Sequence, residues 1–242
     1  MSYLALYRKY RPTSFEEVAG QTKVVKILKN SIANSRLSHA YLFYGPRGTG
    51  KTSIAKLIAK LINCANPIDG NPCDKCPSCL ACLEKNNPDI IEMDAASNNG
   101  VEEIRKVIDT VGLMPNISKY KVYIIDEVHM LSTGAFNALL KTIEEPPAHV
   151  IFILATTEYY KVPETIISRC QCFSFERLAI DDIYSRLKYI VDQEKIKASD
   201  EVLKLIAKYA DGGLRDAIGT LDKLCAYSNE LTVQDFYELR GI

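Results

Sequence analysis

The feature that most constrains this chain is a glycine-rich octet at residues 45–52, which reads Gly-Pro-Arg-Gly-Thr-Gly-Lys-Thr. The octet fits the phosphate-binding loop pattern G-x-x-x-x-G-K-[ST]. The apolar run at 40–44 predicts a buried strand before it, and apolar residues at helical spacing in 54–62 predict a helix after it. Such a helix aims its N-terminal dipole at a bound phosphate. A chance glycine-rich turn would lack this setting, so we expect the octet to bind a nucleoside triphosphate.

Each residue type in the octet has a physical role. Glycines let the backbone curl until several N–H groups point at one anion, while Lys51 reaches the β- and γ-phosphates. The Thr52 hydroxyl is a ligand for Mg²⁺. The predicted contacts of ATP in this segment are Gly45, Pro46, Arg47, Gly48, Thr49, Gly50, Lys51, Thr52 and Ser53.

Further apolar runs at 90–93, 122–125 and 150–155 alternate with helical stretches. Uniform runs of this kind are typical of strands buried on both faces of a parallel sheet. The alternation predicts a doubly wound α/β domain that binds its ligand at the carboxyl ends of the strands. Residues 171–175 are expected to form a last short strand.

From about residue 179 the pattern predicts helices only. One helix is expected to begin near Ser199 and to stop at Gly212-Gly213, the next to run from Leu214 to about Tyr227, and Thr232 to cap a short fourth. The predicted domains are therefore an α/β nucleotide-binding domain at 1–178 and a small helical domain at 179–242.

Composition limits the classes of partner. Lys plus Arg and Asp plus Glu both number 30, so the net charge is zero and any nucleic-acid contact must be local or shared with other chains. No apolar run reaches the roughly 18 residues of a membrane span, and the first residues lack a signal peptide. Five of eight cysteines lie in 64–82, which indicates metal ligands in a reducing cytosol. We expect a soluble, cytoplasmic protein.

Two acids follow the predicted strand at 122–125. Asp126 is expected to meet Mg²⁺ on the side away from Thr52, and Glu127 to orient and deprotonate an attacking water. The alternative is a pair of exposed acids in a loop. Thr156-Thr157 ends the next predicted strand, where a hydroxyl could contact the γ-phosphate or the water.

Two arginines are candidates for contacts with phosphate. Arg215 lies in the first turn of a predicted helix, where the dipole disfavours a cation and a bound phosphate would offset that cost. The alternatives are a partner carboxylate such as Asp216 or a solvated side chain. Arg169 precedes the last strand, and a surface salt bridge is its alternative.

The cysteines Cys64, Cys73, Cys76, Cys79 and Cys82 follow the spacing C-x8-C-x2-C-x2-C-x2-C. Repeated C-x-x-C pairs favour a tetrahedral Zn²⁺ site, and a set made of thiolates alone indicates a structural metal. An iron–sulfur cluster is the alternative, but the expected third gap and following proline are missing. Five candidates compete for four places. Cys170, Cys172 and Cys225 are expected in the core.

With these residues assembled, the chain resembles the gamma/tau subunits of the bacterial DNA polymerase III clamp loader, which are AAA+ ATPases. The segments that carry the resemblance are 8–12, 39–43, 121–131, 136–142, 144–147 and 168–170. The resemblance implies that 45–52 and Asp126-Glu127 are Walker A and B, and that Thr157 is sensor 1. It implies that Arg169 is an arginine finger acting on a neighbour's ATP, and that Arg215 after Leu214 is sensor 2.

The resemblance also implies Arg11 and Val18 as residues flanking the adenine, and Cys64, Cys73, Cys76 and Cys79 as the zinc ligands. Cys82 departs from the family pattern, which leaves the fourth ligand open. The insert about 64–82 would then be a zinc module, and 179–242 a lid domain.

The implied function is Mg²⁺-dependent ATP hydrolysis that loads a sliding clamp onto primed DNA together with other clamp-loader subunits. As a holoenzyme subunit the chain would be grouped with DNA-directed DNA polymerases, although it contains no polymerase site. It stops at Ile242, where family members continue into a collar that assembles a hetero-oligomer. We therefore expect the ATPase part only, monomeric when alone, with very weak hydrolysis.

Three other functions are considered. A structural subunit that binds nucleotide without cleaving it is disfavoured by intact Lys51, Thr52 and Asp126-Glu127. A zinc-dependent DNA-binding module would need a basic surface, but 64–90 carries two lysines against four acids. A P-loop kinase fits the tandem acids less well than water attack does. Residues 97–100, which open a helix, are a hypothetical contact for DNA phosphates.

Overall fold

The computed structural model describes residues 3–241, so Met1, Ser2 and Ile242 of the predicted domains lie outside the described residues. The chain divides into two compact units. The sheet unit comprises Thr22–Gly45 and Lys51–Phe175. The helical unit comprises residues 3–21, Pro46–Gly50 and residues 176–241. The predicted functional boundary between 178 and 179 stays a prediction.

Five parallel strands form the sheet, in the order β2-β3-β4-β1-β5. The strands are β1 Ala40–Tyr44, β2 Ile90–Asp94, β3 Lys121–Asp126, β4 Val150–Thr156 and β5 Gln171–Ser174. Their register aligns Tyr44 with Thr156 of β4 and Ser174 of β5, and Asp94 with Asp126. The carboxyl ends of the strands therefore share one edge, as the apolar runs predict.

The three inner strands are buried almost throughout, because each has a neighbour on both sides and helices on both faces. The outer strand β2 differs from the prediction, since all five of its side chains are partly or fully exposed. It stands at the sheet's edge, where residues 3–241 provide no partner strand on its outer side. Its apolar run of 90–93 alone could not reveal this position.

The helices alternate with the strands in the first part of the chain and follow one another in the last. They are α1 Leu6–Lys9, α2 Thr22–Ala33, α3 Lys51–Ile62, α4 Pro77–Leu83, α5 Val101–Val111, α6 Thr133–Glu144, α7 Glu164–Ile167, α8 Ile180–Glu194, α9 Asp200–Tyr209, α10 Leu214–Tyr227 and α11 Val233–Arg240. Short 3₁₀ turns occupy Val128–Met130 and Tyr159–Lys161. Within residues 3–241, none of these helices combines the length and apolarity needed to cross a membrane.

The apolar core of the sheet unit lies between the sheet and the helices α5 and α6. Ile104 of α5 and Leu139 of α6 are fully buried there. They pack with the stacked rings of Tyr123 and Phe152, whose centroids are 5.3 Å apart. This packing holds the sheet rigid behind the edge that carries the polar strand ends.

The helical unit has its own core, which joins α1 to α8, α9, α10 and α11 through buried residues such as Leu6 and Phe236. Two predicted helix starts are confirmed. The Ser199 hydroxyl accepts a hydrogen bond from the N–H of Val202, and Thr232 forms a capping box with Asp235. The helix predicted to stop at Gly212-Gly213 ends slightly earlier, at Tyr209.

The prediction of helices after residue 179 is confirmed by α8 to α11, and the structure adds one short pair of strands that was not predicted. Lys197–Ala198 (β6) pairs in parallel with Glu230–Leu231 (β7), in the loops before α9 and α11. Strands of two residues are too short to show an alternating pattern. Their pairing depends on two loops that are far apart in the sequence, so only the tertiary fold reveals it.

Candidate active site and metal centre

The phosphate-binding loop leaves β1 at a point where only glycine fits. Gly45 has φ +142°, and a Cβ there would overlap the carbonyl oxygen of Phe175. Gly48 has φ +76°, and its Cβ would lie 3.2 Å from the Cα of Gly213. Within the loop, the Thr49 hydroxyl donates to the carbonyl of Pro46 at 2.8 Å. Arg47 is exposed, whereas Thr49 is buried and Gly50 and Ser53 are half-buried. The loop is thus tightly closed, with its arginine in solvent.

Lys51 is the first residue of α3, and it is 6% exposed. Its ammonium donates to the carbonyl of Gly45 at 2.7 Å, which spans the loop from end to end. Burial lowers the pKa of Lys51, and the carboxylates of Glu127 and Asp126 oppose that shift. A buried cation with a lowered pKa would be stabilised by the negative charge of a bound phosphate.

The Thr52 hydroxyl donates to Oδ2 of Asp126 at 2.7 Å. Asp126 is the last residue of β3, and its other oxygen accepts the N–H of Glu127 at 3.0 Å. A hydroxyl and a carboxylate oxygen in contact are hard oxygen donors of the kind that Mg²⁺ prefers. The two predicted ligands therefore lie side by side and not on opposite sides of an ion as expected, and this pair fits neighbouring positions on a magnesium ion.

Glu127 is held in place by its neighbours. It has φ +47°, a left-handed conformation that is uncommon outside glycine and often marks a functional site. Its carboxylate accepts the hydroxyl of Thr157 at 2.9 Å and the N–H of Thr157 at 3.1 Å. Nδ1 of His129 lies 3.4 Å from the same oxygen. The predicted base and the predicted sensor hydroxyl are therefore in direct contact.

A buried threonine supports this arrangement. The Thr156 hydroxyl lies 2.9 Å from Nδ1 of His129 and accepts the N–H of Glu158 at 3.0 Å. Nδ1 of His129 thus faces both the Thr156 hydroxyl and the Glu127 carboxylate. A proton on Nδ1 lets the ring donate to both oxygens. The sequence alone did not reveal the contact of His129 with Thr156.

Arg169 lies just after α7 and forms a salt bridge with Glu144, the last residue of α6, at 2.7 Å. Its guanidinium also donates to the carbonyl of Thr165 at 2.7 Å. Both partners of the salt bridge are more than a third exposed. In the single chain Arg169 therefore makes the surface salt bridge that its alternative interpretation expected. The sequence did not identify Glu144 as its partner.

Arg215 lies in the helical unit, which also contains the loop residues Pro46–Gly50. The N–H of Leu214, the residue before it, donates to the carbonyl of Gly48 at 3.1 Å. The Arg215 guanidinium lies over the ring of Tyr7, 5.0 Å from its centroid. Of the predicted adenine neighbours in the same unit, Arg11 is exposed and Val18 is half-buried.

Four cysteines form the candidate metal centre. The sulfurs of Cys64, Cys73, Cys76 and Cys79 all lie within 4.8 Å of one another. Tetrahedral zinc with Zn–S bonds of about 2.3 Å needs sulfurs about 3.8 Å apart, so the group fits this ion. Sulfurs accept the N–H groups of Cys73 at 3.2 Å and Cys76 at 3.3 Å. Backbone N–H groups of Lys75 and Cys76 lower the pKa of Cys73 to about 6, which favours the thiolate.

Cys82 is not one of the four. It lies on α4, where its sulfur accepts the amide of Asn87 at 3.4 Å, and burial raises the pKa of its thiol. The geometry thus favours Cys64 over Cys82 as the remaining ligand. Cys172 corrects another prediction, because it is exposed on the edge strand β5 and not in the core.

The hypothesis that residues 97–100 meet DNA phosphates gains no support from the helix that follows. Gly100 caps α5 as expected, but Glu102 and Glu103 occupy its first turn. Two carboxylates there offset the positive end of the helix dipole. The segment is instead tied to the neighbouring loop, since Asn99 accepts the N–H of Ser132 at 3.0 Å.

Comparison with known proteins gives consistent results. Residues 20–179 match the family described as DNA polymerase III, delta subunit. Residues 182–230 match the family described as DNA polymerase III clamp loader subunit, ATPase lid domain. Thermotoga maritima RuvB, described as a Holliday junction branch migration motor, has a TM-score of 0.66 at 19% identity, covering 95% of this chain and 71% of that structure. This likeness shows the AAA+ fold.

Three curated relatives are DNA polymerase III subunits. The tau subunit of Bacillus subtilis is 54% identical, covering 100% of this chain and 43% of that protein. The gamma subunit of Buchnera aphidicola from Schizaphis graminum is 46% identical, covering 100% and 67%. The tau subunit of Escherichia coli is 47% identical, covering 93% and 35%. The chain thus spans less than half the length of both tau subunits.

Proposed function

We propose that this chain, which belongs to the gamma/tau subunit family of bacterial DNA polymerase III, is the ATP-binding and ATP-hydrolysing part of a clamp-loader subunit. The observation that carries the proposal is the hydrogen bond of Thr52 to Asp126, next to Glu127 in contact with Thr157. These four side chains come from three separate segments, yet they meet at one edge of the sheet.

The phosphates of ATP would lie in the loop 45–52, with Ser53 beside it. Backbone N–H groups and the buried Lys51 supply the positive charge, and Thr52 and Asp126 would hold Mg²⁺. When bound, the ion neutralises charge on the β- and γ-phosphates. Leu214, Arg215, Arg11 and Val18 are the remaining nucleotide contacts in this proposal. The 1–178 segment would act as the nucleotide-binding domain and 179–242 as its lid.

Glu127 orients a water molecule and accepts its proton as the oxygen attacks the γ-phosphate. For this its carboxylate must exchange at least one Thr157 hydrogen bond for one to water. The Thr157 hydroxyl is then free to donate to phosphate, which is the role of a sensor. The resting contact of the two side chains keeps both close to the reacting atoms.

Arg169 would act on ATP bound to a neighbouring subunit, once it has left Glu144. The proposed partners are the other clamp-loader subunits, the sliding clamp and primed DNA, in a hetero-oligomer. ATP binding would organise the complex on the clamp and DNA, and hydrolysis would release both. As a subunit of the holoenzyme, the chain would be grouped with DNA-directed DNA polymerases, although it contains no polymerase site.

Zinc would be structural. Cys64, Cys73, Cys76 and Cys79 fill four coordination positions with thiolates, which leaves none for a substrate. Cys64 lies two residues after the end of α3, so the metal would tie the insert to the helix that begins at Lys51.

Glu127→Gln tests the proposal. The variant should bind Mg-ATP with an affinity within about threefold of wild type, because the Glu127 carboxylate would contact the attacking water and not the phosphates. Turnover in the complex reconstituted with the other subunits, clamp and primed DNA should fall about 100- to 10,000-fold. The matched control is Glu158→Gln, which neutralises an exposed acid on the same edge and should leave turnover unchanged.

The same measurement separates the two candidate functions. A structural subunit that binds ATP without cleaving it would give equal, negligible turnover for the wild-type and Glu127→Gln subunits in a complex whose other ATPase sites are inactivated. If the chain is an ATP-hydrolysing clamp-loader subunit, we expect the turnover of the wild type to be stimulated only when the other subunits, the clamp and primed DNA are all present.

A further inference from the structure

The ring of Tyr7 contacts Arg215, the predicted sensor 2 arginine. Tyr7 lies on the short helix α1, and the guanidinium of Arg215 sits 5.0 Å from its ring centroid. The Arg8 Nε–H donates to the Tyr7 hydroxyl at 3.2 Å. These two arginines lower the pKa of Tyr7, Arg8 more than Arg215. Tyr7, Arg8 and Arg215 all belong to one compact unit.

The backbone of Arg215, on α10, lies next to the centre of the phosphate loop. The N–H of Leu214 donates to the carbonyl of Gly48, and a Cβ on Gly48 would lie 3.6 Å from the Cβ of Arg215. The Cα of Arg215 is therefore fixed beside the loop that would bind the triphosphate. The backbone does not fix the direction in which the long side chain extends. In this structure that direction is toward Tyr7.

The guanidinium needs such a partner. Arg215 is the second residue of α10, where the helix dipole is unfavourable for a cation, and its side chain is exposed. A flexible arginine loses rotamer freedom when it is ordered by a ligand. The face of a tyrosine ring attracts a guanidinium and restricts the rotamers it visits.

Helix α1 is firmly fixed to α10, so the ring is a stable support. The N–H of Leu6 donates to Oδ2 of Asp222 at 3.3 Å, and the Tyr3 hydroxyl donates to the same carboxylate. Asp222 lies seven residues after Arg215, two helical turns along the same face of α10. Leu6 is buried in the core of the helical unit. The contacts at Asp222 thus hold α1 along α10 with Tyr7 beside Arg215.

We propose that Tyr7 is a positioning residue, which holds Arg215 beside the phosphate loop so that triphosphate binding finds the arginine already ordered. The proposal rests on the proposed function, in which Arg215 contacts the phosphates. Its effect should appear with ATP more than with ADP, because the γ-phosphate carries the additional charge that Arg215 would meet.

Isothermal titration of the 242-residue chain with Mg-ATP and Mg-ADP tests the proposal. Tyr7→Leu removes the ring and should weaken ATP binding about three- to tenfold, which corresponds to a lost cation–π contact, and ADP binding less than about twofold. Tyr7→Phe keeps the ring and should stay within about twofold for both nucleotides. Tyr7→Met is the second variant without a ring, with the same expectation as Tyr7→Leu.

A double-mutant cycle distinguishes positioning from a structural role. In an Arg215→Ala chain, Tyr7→Leu should cause no further loss of ATP affinity. Tyr3→Phe, which removes one anchor of α1 without touching Arg215, is the control and should keep ATP affinity within about twofold. Additive losses of ATP affinity in the double variant, or equal losses of ATP and ADP affinity in Tyr7→Leu, would overturn the proposed role of Tyr7. Neither result would contradict the proposed function. A wild-type chain that binds neither nucleotide would overturn the proposed function and this proposal together.

Discussion

At the scale of single residues, Asp89 shows how a buried charge is stabilised away from the active site. It is 1% exposed and directly precedes β2. Its carboxylate accepts three backbone N–H groups, from Asn116 at 2.7 Å, Ile117 at 2.8 Å and Ser118 at 2.9 Å. A buried carboxylate is tolerated when its lone pairs are satisfied in this way. Asp89 therefore fixes the loop between α5 and β3.

Replacement of this carboxylate should be costly. In Asp89→Asn one oxygen becomes an NH₂ group that faces N–H donors, so at least one buried donor loses its partner. We expect the free energy of unfolding to fall by about 2–4 kcal/mol. Urea denaturation followed by circular dichroism measures it. Asp109→Asn changes an exposed acid on α5 and should stay within about 0.5 kcal/mol of wild type. Equal stability of the two variants would contradict the role of Asp89.

At the scale of elements, the cysteine insert, about residues 64–82, is short and buries few apolar side chains. Its helix α4 has seven residues, and Leu80 and Leu83 on it are exposed. Isolated helices of this length are marginal in water. The four clustered cysteines and the salt bridge of Lys60 with Asp74 at 2.5 Å connect the insert to α3.

Metal binding should therefore depend on four of the five cysteines. Cys79→Ser should lose most of the bound zinc, whereas Cys82→Ser should keep about one zinc per chain. Atomic emission on the purified chain measures the stoichiometry. Removal of zinc with a chelator should expose the insert to protease before the parallel sheet is cut. A Cys82→Ser chain without zinc would show that the fourth ligand has been assigned wrongly.

At the scale of the whole molecule, hydrolysis should depend on a neighbouring subunit. The Arg169 side chain is paired with Glu144 in the single chain, and it would act on ATP held by another subunit. The turnover of the single chain is therefore expected to be very slow.

Arg169→Ala should affect ATP turnover in the assembled complex but not in the isolated chain. In the isolated chain we expect turnover within about twofold of the slow wild-type value. In the assembled complex, loss of the arginine should lower turnover about 1,000-fold or more, the usual contribution of an arginine finger. Steady-state phosphate release measures both. An isolated chain that hydrolyses many ATP molecules per second, unaffected by Arg169→Ala, would contradict a role in trans.

What the sequence determined by itself is local. The octet 45–52, the acids after 122–125 and the cysteine spacing are patterns in which chemistry and chain order coincide, so they predicted the main site residues. The alternating apolar runs predicted the α/β fold. The Ser199 and Thr232 caps were predicted for the same reason, since a cap bonds to residues two or three positions away.

Only the tertiary structure decided which distant residues meet. The pairs of Glu144 with Arg169, Tyr7 with Arg215 and β6 with β7 join segments that no periodicity connects. Exposure at the sheet edge likewise depends on strand order, which placed β2 and Cys172 outside the core. Side-chain contacts across a fold follow from packing of the whole chain, whereas a sequence pattern records only what lies within a few residues.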